Sequence, residues 1–306
     1  MSEIELHRKL LGDKVRNDAL AEALGRVLRP GLTVADIGAG TGFLSFLARR
    51  LGAEQCHLYE YSGALGLARE LASRNGVTGL IFVHAHSTEV KKPPRADVVI
   101  SETLGNYALE EGLLETLVDA RRFLKSGGVL IPASLSQFVA PVTSPRLQQE
   151  IDVFARAARG IDLGPAREVA LNNMYVKSVR AGELADPRQW DRIAFTVEGK
   201  PPSSVRKGAA RWPDLAGATV HGFALWWQVE LVDGVSLSTS PMAPPTHWEQ
   251  VYLPLLEPVA PQPGQELDLA LTSDTRNGMR LVWETRVMQG GKPVSSQRQD
   301  LARGRL

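Results

Sequence analysis

Apolar residues in the first thirty positions fall at Ile4, Leu6, Leu10, Leu11, Val15, Leu20, Leu24 and Leu28. This is close to a helical repeat, and Arg29-Pro30-Gly31 ends it. The pattern then shortens. Residues 32–37 read as a buried strand, followed by a glycine-rich turn and a helix over about 43–51. A second strand at 55–60 leads into a helix near 63–74, and 80–83, 97–100 and 129–131 are further short apolar runs between helical segments. Strands alternating with helices predict a doubly wound parallel sheet.

Past Pro132 the texture changes, and from Arg192 onward the period is two. Phe223, Leu225, Trp227, Val229 and Leu231 share one face, with Gln228 and Glu230 on the other. Similar runs at 249–256, 266–271 and 280–288, separated by Pro- and Gly-rich turns, predict an antiparallel, barrel-like β domain. Between the two patterns lies a helical insert at about 145–188, with Leu147, Ile151, Phe154 and Ala158 on one face. The expected organisation is an N-terminal helix and α/β domain over 1–132, then a β domain over 133–306 that carries the helical arm.

Composition narrows the function classes. The formal net charge of +1 gives no electrostatic case for nucleic acid or an anionic membrane. One cysteine, Cys56, excludes an internal disulfide and a cysteine-based zinc site, and no metal site is expected. The first ten residues carry Glu3, Glu5, His7, Arg8 and Lys9 with no apolar run behind them, so neither a signal nor a transit peptide is expected. No apolar stretch approaches the roughly 20 residues of a membrane span. A cytoplasmic location is expected.

Residues Val34 to Gly42 (VADIGAGTG) follow a strand and precede a helix. Gly38 and Gly40 let the backbone bend tightly and approach a ligand. The dinucleotide fingerprint Gly-x-Gly-x-x-Gly would place its third glycine at position 43, which is Phe43. Asp36 within the loop and Glu60 ending the next strand instead suit a nucleoside whose ribose hydroxyls are held by a carboxylate. Ser87, Thr88 and Glu89, after the third strand, sit where such folds contact adenine. An ordinary glycine turn and an ordinary loop are the alternatives at these two places.

The most informative stretch is Ser101 to Gly112 (SETLGNYALEEG). Glu102 follows an apolar strand, so it belongs to the end of an open α/β sheet where ligands bind. Gly105 permits a turn, and Glu111 is expected at the start of the next helix. Two close carboxylates repel unless a cation lies between them. A guanidinium is planar, cationic and offers paired N–H groups to a carboxylate fork.

These motifs resemble the protein arginine methyltransferase family. Glu102 and Glu111 look like its double-glutamate loop, Thr246-His247-Trp248 resembles its threonine–histidine–tryptophan loop, and the segment from His7 to Arg16 is similar to its cofactor-covering helix. The resemblance is to a short, bacterial-type member. It implies a Rossmann-like domain binding S-adenosylmethionine, a domain break near a cis Pro132, and an arm at 145–188 that docks on a second subunit as a homodimer. It also implies roles: Arg16 on the cofactor carboxylate with His7 near the same end, Asp13 paired with His247, and Trp248 lining the arginine channel. Asn106, Leu10 and Leu113 take the places of substrate-pocket residues.

Departures are visible as well. The family's Trp-Met-Gly-Tyr run is Thr103-Leu104-Gly105-Asn106, an aromatic is Leu20, and pocket methionines are Leu10 and Leu113. The tyrosine-rich helix that lids the cofactor is missing or reduced. The expected function is methyl transfer to the guanidinium of arginine in a protein, in a peptide or as the free amino acid. A small-molecule N- or O-methyltransferase and a cofactor-binding scaffold without activity are the alternatives.

Overall fold

The computed structural model describes residues 3–195 and 199–305. The apolar repeat at the N-terminus predicts one helix, and the structure has two, α1 (Glu3–Gly12) and α2 (Lys14–Val27). Asp13 makes the break. Its backbone is extended, and its carboxylate accepts from the Arg16 N–H at 2.9 Å, capping α2.

Next come β1 (Thr33–Ile37), α3 (Phe43–Arg50), β2 (Gln55–Tyr59), α4 (Ala64–Arg74), β3 (Leu80–Val83), β4 (Ala96–Ile100), α5 (Leu113–Ala120) and β5 (Leu124–Ile131). The strands form a parallel sheet in the order β3-β2-β1-β4-β5. Strand order reverses between β1 and β4, so a crevice opens there beyond the strand ends. The glycine loop follows β1, Glu60 follows β2 and Glu102 follows β4, which brings all three to one rim. Glu111 lies two residues before α5, not within it as the sequence predicts; Gly112, at φ +71°, separates it from the helix.

The Ile131–Pro132 peptide is cis. Beyond it come β6 (Ser134–Val142), the helices α6 (Arg146–Ile151), α7 (Phe154–Ala157) and α8 (Gly164–Leu171), then β7 (Tyr175–Lys177) and β8 (Arg188–Ala194). β9 (Val205–Trp212), β10 (Val220–Val232), β11 (Val235–Ser238), β12 (Gln250–Val259), β13 (Gln265–Asp274), β14 (Arg280–Gln289) and β15 (Lys292–Asp300) follow. Two antiparallel sheets result: β7-β12-β10-β6-β8 with β11 on β10, and β15-β14-β13-β9. Together they make the barrel-like half.

Two expectations are corrected here. The insert is α-helical only as far as Leu171; residues 175–177 pair with β12, and only a 3-10 turn at Ala181–Glu183 follows. The stripe Leu147, Ile151, Phe154 and Ala158 is not one face either. The helix breaks at Asp152, and Leu147 and Ile151 turn inward onto Ala140, Val142, Trp226 and Tyr252. They cover the second face of β10, so Trp226 is buried and only Gln228 of the expected polar face is exposed.

Candidate active site

The glycine loop is built on left-handed backbone: φ is +73° at Gly38, +52° at Gly40 and +77° at Gly42. A Cβ on Gly40 would lie 2.7 Å from the His7 ring, so α1 lies directly over the loop. Glu60 is buried, and its two oxygens accept from the Gly40 N–H at 2.9 Å and the Ser62 N–H at 2.7 Å. Each carboxylate oxygen keeps a further lone pair for a hydroxyl donor. Asp36 is a correction. It is buried and accepts from Ser45 Oγ at 2.7 Å, so its carboxylate ties β1 to α3 rather than standing open in the loop. Burial pushes its carboxyl up to about 6.

At the neighbouring strand end Ser87 is buried and its Oγ has no partner among the described residues, an orphan that a ligand would satisfy. Thr88 and Glu89 are exposed and engaged in a short turn. Thr88 Oγ1 lies 2.7 Å from His86 Nδ1, and Glu89 accepts from the His86 N–H at 3.3 Å.

A cavity of about 120 Å³ opens beside the loop that carries Glu102 and Glu111. Glu102, Glu111, His247, Trp248, Asn106 and Leu10 are among the residues that line it. Leu113 is not; it is fully buried in the core of the α/β half, correcting its place in the pocket. Glu102 is held inside. Its Oε2 accepts from Arg16 Nε at 2.6 Å and also pairs with Arg16 Nη2, while Oε1 accepts from the Leu104 N–H at 3.2 Å. Arg16 and Glu102 are both buried side chains, so this is a desolvated pair. Sequence reasoning sent Arg16 to the cofactor alone, and no signal in the chain points across 86 positions to Glu102.

Glu111 stands at the solvent-facing mouth of the cavity. Partial burial, then repulsion from Glu102 and Glu110, pushes its carboxyl up to about 7.

Asp13 and His247 meet across the two halves of the chain. Asp13 Oδ2 accepts from the His247 N–H at 2.7 Å and lies 2.7 Å from His247 Nδ1. Burial lowers the pKa of His247 in spite of Asp13 and Glu102, which keeps the imidazole neutral at neutral pH. Nδ1 then carries the proton toward Asp13 and Nε2 is left as an acceptor. Trp248 is buried, packs 3.9 Å from the His247 ring and donates its indole N–H to Leu104 O at 2.8 Å. Asn106 Oδ1 accepts from the Glu249 N–H at 2.9 Å, which ties the loop to the β half.

The sequence matches the family description "Methyltransferase domain" over residues 28–170 and "Arginine methyltransferase oligomerization subdomain" over 136–281. Protein arginine N-methyltransferase 6 of Xenopus laevis is 28% identical over 282 residues, covering 88% of this chain and 82% of that protein. The chain belongs to the protein arginine methyltransferase family. A probable protein arginine N-methyltransferase 6 of Arabidopsis thaliana is 27% identical, covering 89% of this chain and 73% of its own. Among solved structures, the Trypanosoma brucei PRMT1 enzyme–prozyme heterotetrameric complex with AdoHcy superposes with a TM-score of 0.86 at 24% identity, covering 96% of both chains. Arabidopsis thaliana protein arginine methyltransferase 10 gives 0.79 at 21% identity, again with 96% of both covered. The methyltransferase-domain match and these relatives support S-adenosylmethionine-dependent arginine N-methyltransferase activity, with S-adenosylmethionine as the cofactor. Among the described residues no group of His, Cys, Asp and Glu is arranged to hold a metal ion, and no helix is long and apolar enough to cross a membrane.

Proposed function

We propose that this protein methylates a guanidinium nitrogen held between Glu102 and Glu111. One observation carries the reading: a single cavity gathers both glutamates, His247 and Trp248 from separate stretches of the chain. The buried orphan Ser87 Oγ and the glycine cradle under His7 fit an adenosine ligand. Glu60 would hold its ribose, Ser87, Thr88 and Glu89 its adenine, and His7 and Arg16 its amino-acid end. S-adenosylmethionine supplies an electrophilic methyl on a sulfonium centre.

The chain's own residues do the rest. Glu102 and Glu111 draw positive charge onto the nitrogens they hold, leaving lone-pair character on the nitrogen that faces the methyl. They also offset repulsion between the two cations, guanidinium and sulfonium. A guanidinium has a pKa above about 12, so it is not deprotonated before attack. His247 Nε2, with the ring fixed through Nδ1 by Asp13, accepts the proton once the new bond has formed. The domain division at Pro132 sets this site between the parallel sheet and the barrel. Calorimetric titration with S-adenosylmethionine, beside turnover on arginine peptides and on free arginine, tests the reading and identifies the acceptor form.

A pH dependence follows from Glu111. Only its ionised form holds a cation, and its raised pKa leaves it partly protonated below about 7. Acceptor kcat/KM is expected to rise with pH through that region. Acceptor binding should release a proton, because the bound cation favours the carboxylate. Binding enthalpies that do not vary with the ionisation enthalpy of the buffer would contradict this.

The same reading includes a homodimer. Ile161, 66% exposed, and Val153 project from the arm, and an apolar groove of about 270 Å³ lies on the α/β half between Leu11, Phe43, Phe46, Leu47, Leu71 and Val77. Apolar surface on both parts suits a second copy seated arm to groove. The match of residues 136–281 to an oligomerization subdomain supports it. Ile161→Asp is expected to shift the protein to monomer in sedimentation velocity at micromolar concentration; an unchanged dimer would reject this arrangement.

A further inference from the structure

The loop from Ser101 to Gly112 carries both glutamates yet contains no helix or strand, and the turn bond within it, Glu110 N–H to Tyr107 O, does not reach Glu102. Two of its consecutive carbonyls are instead held from the barrel. Leu104 O accepts from Trp248 Nε1 at 2.8 Å, and Gly105 O accepts from Trp227 Nε1 at 3.0 Å. Both bonds are buried, where an unpaired carbonyl is costly. The two indoles meet edge to face, with centroids 5.0 Å apart at 73°. Trp227 sits in mid-β10 and is 1% exposed, and its backbone is clamped in turn by Thr239: Trp227 N–H donates to Thr239 Oγ1 at 3.2 Å and Thr239 N–H to Trp227 O at 3.0 Å. The loop is equally tight on its other side, because a Cβ on Gly105 would lie 2.3 Å from the Glu110 side chain.

Trp227 does not line the acceptor cavity, so it acts through the loop. We infer that Trp227 is a positioning residue: its indole N–H pins Gly105 and thereby sets the spacing of Glu102 and Glu111 that selects a guanidinium acceptor. This rests on the glutamate-clamp reading. Phenylalanine at 227 keeps a ring in the core and removes only the donor, which leaves Gly105 O unpaired and the loop free to shift.

Five proteins test it: wild type, Trp227→Phe, Glu111→Gln, the double variant of these two, and a control, Trp212→Phe. Trp212 is a buried barrel tryptophan whose indole donates to Asp186 O, away from the loop. Trp227→Phe is expected to lower kcat/KM for an arginine acceptor about tenfold, with S-adenosylmethionine affinity within about twofold of wild type. Trp212→Phe should match it in lost thermal stability and keep wild-type kcat/KM. Adding Trp227→Phe to Glu111→Gln should cost much less than it does alone, since both act on one clamp. If Trp227→Phe is insoluble, Thr239→Val is the second variant; it removes the Oγ1 that takes the Trp227 N–H, loosening one side of the clamp, and should move acceptor kcat/KM in the same direction. Normal kcat/KM in Trp227→Phe, or equal losses in the two tryptophan variants, overturns the assignment while leaving the clamp in place. Normal turnover in Glu111→Gln removes the clamp itself.

Discussion

Replacing Glu111 by Gln is expected to lower methyl transfer about 30- to several-thousand-fold, with S-adenosylmethionine affinity nearly unchanged. Gln keeps the size of the side chain and one acceptor oxygen but loses the charge that holds and polarises the acceptor, a loss of about 2–5 kcal/mol for a charged contact. Glu111 lines the acceptor cavity, whose lining includes none of the residues that the cofactor reading assigns, which is why the two effects separate. Glu102→Gln should lose as much turnover and behave differently otherwise. Its carboxylate also neutralises the buried Arg16, so the variant leaves a buried cation without a charged partner. A fall in melting temperature and a weakening of cofactor binding are expected for Glu102→Gln and not for Glu111→Gln. Turnover, calorimetry and thermal melts on the two variants check each part.

Asp13→Ala should be the most damaging change outside the glutamate pair. One carboxylate caps α2 through the Arg16 N–H, takes the His247 N–H and holds the imidazole. Losing the cap and two buried acceptors is expected to cost about 2–4 kcal/mol of stability. Losing the fixed orientation of a proton acceptor is expected to cost about 10²–10⁴-fold in turnover. Asp13→Asn separates the two, since an amide oxygen still caps the helix. It should lose less stability than Asp13→Ala, since the cap survives while its NH2 faces the His247 N–H, and still turn over poorly. Burial works to raise the Asp13 pKa, but the N–H groups of Arg16 and His247 and the imidazole outweigh it and hold it below the ordinary value. Its contribution to stability is therefore present above the unfolded carboxylate pKa and lost as pH falls through the depressed folded one. Thermal melts between about pH 5 and 2 should lose less stability in Asp13→Asn than in wild type.

What the sequence revealed and what it hid have separate physical causes. The glycine loop, Glu60 and Glu102 were legible because strand-end chemistry is local: an apolar run, then a glycine or a carboxylate, fixes which rim a residue occupies. The break at Asp13 was not, because Leu10, Leu11, Val15 and Leu20 keep a helical spacing straight across it. Leu10 and Leu113 look alike in sequence, and only packing puts one on the cavity wall and the other in the core. β15 is mostly polar and exposed, so it owes its place to pairing with β14 rather than to alternation. The stripe on the arm failed for a similar reason, since the turn at Asp152 sends its two halves to different surroundings. The Arg16–Glu102 pair and the Trp227–Gly105 bond join residues with no shared motif and are visible only once the halves of the chain are brought together.

The most direct test places two otherwise identical peptides, one with arginine and one with lysine at the acceptor position, with S-adenosylmethionine and the wild-type protein. Tandem mass spectrometry then locates any added methyl. The guanidinium clamp predicts methylation of the arginine side chain and none of the lysine, because an ammonium cannot span Glu102 and Glu111 in a planar fork. Efficient methylation of the lysine, or of a hydroxyl acceptor with the arginine left unmodified, would contradict it.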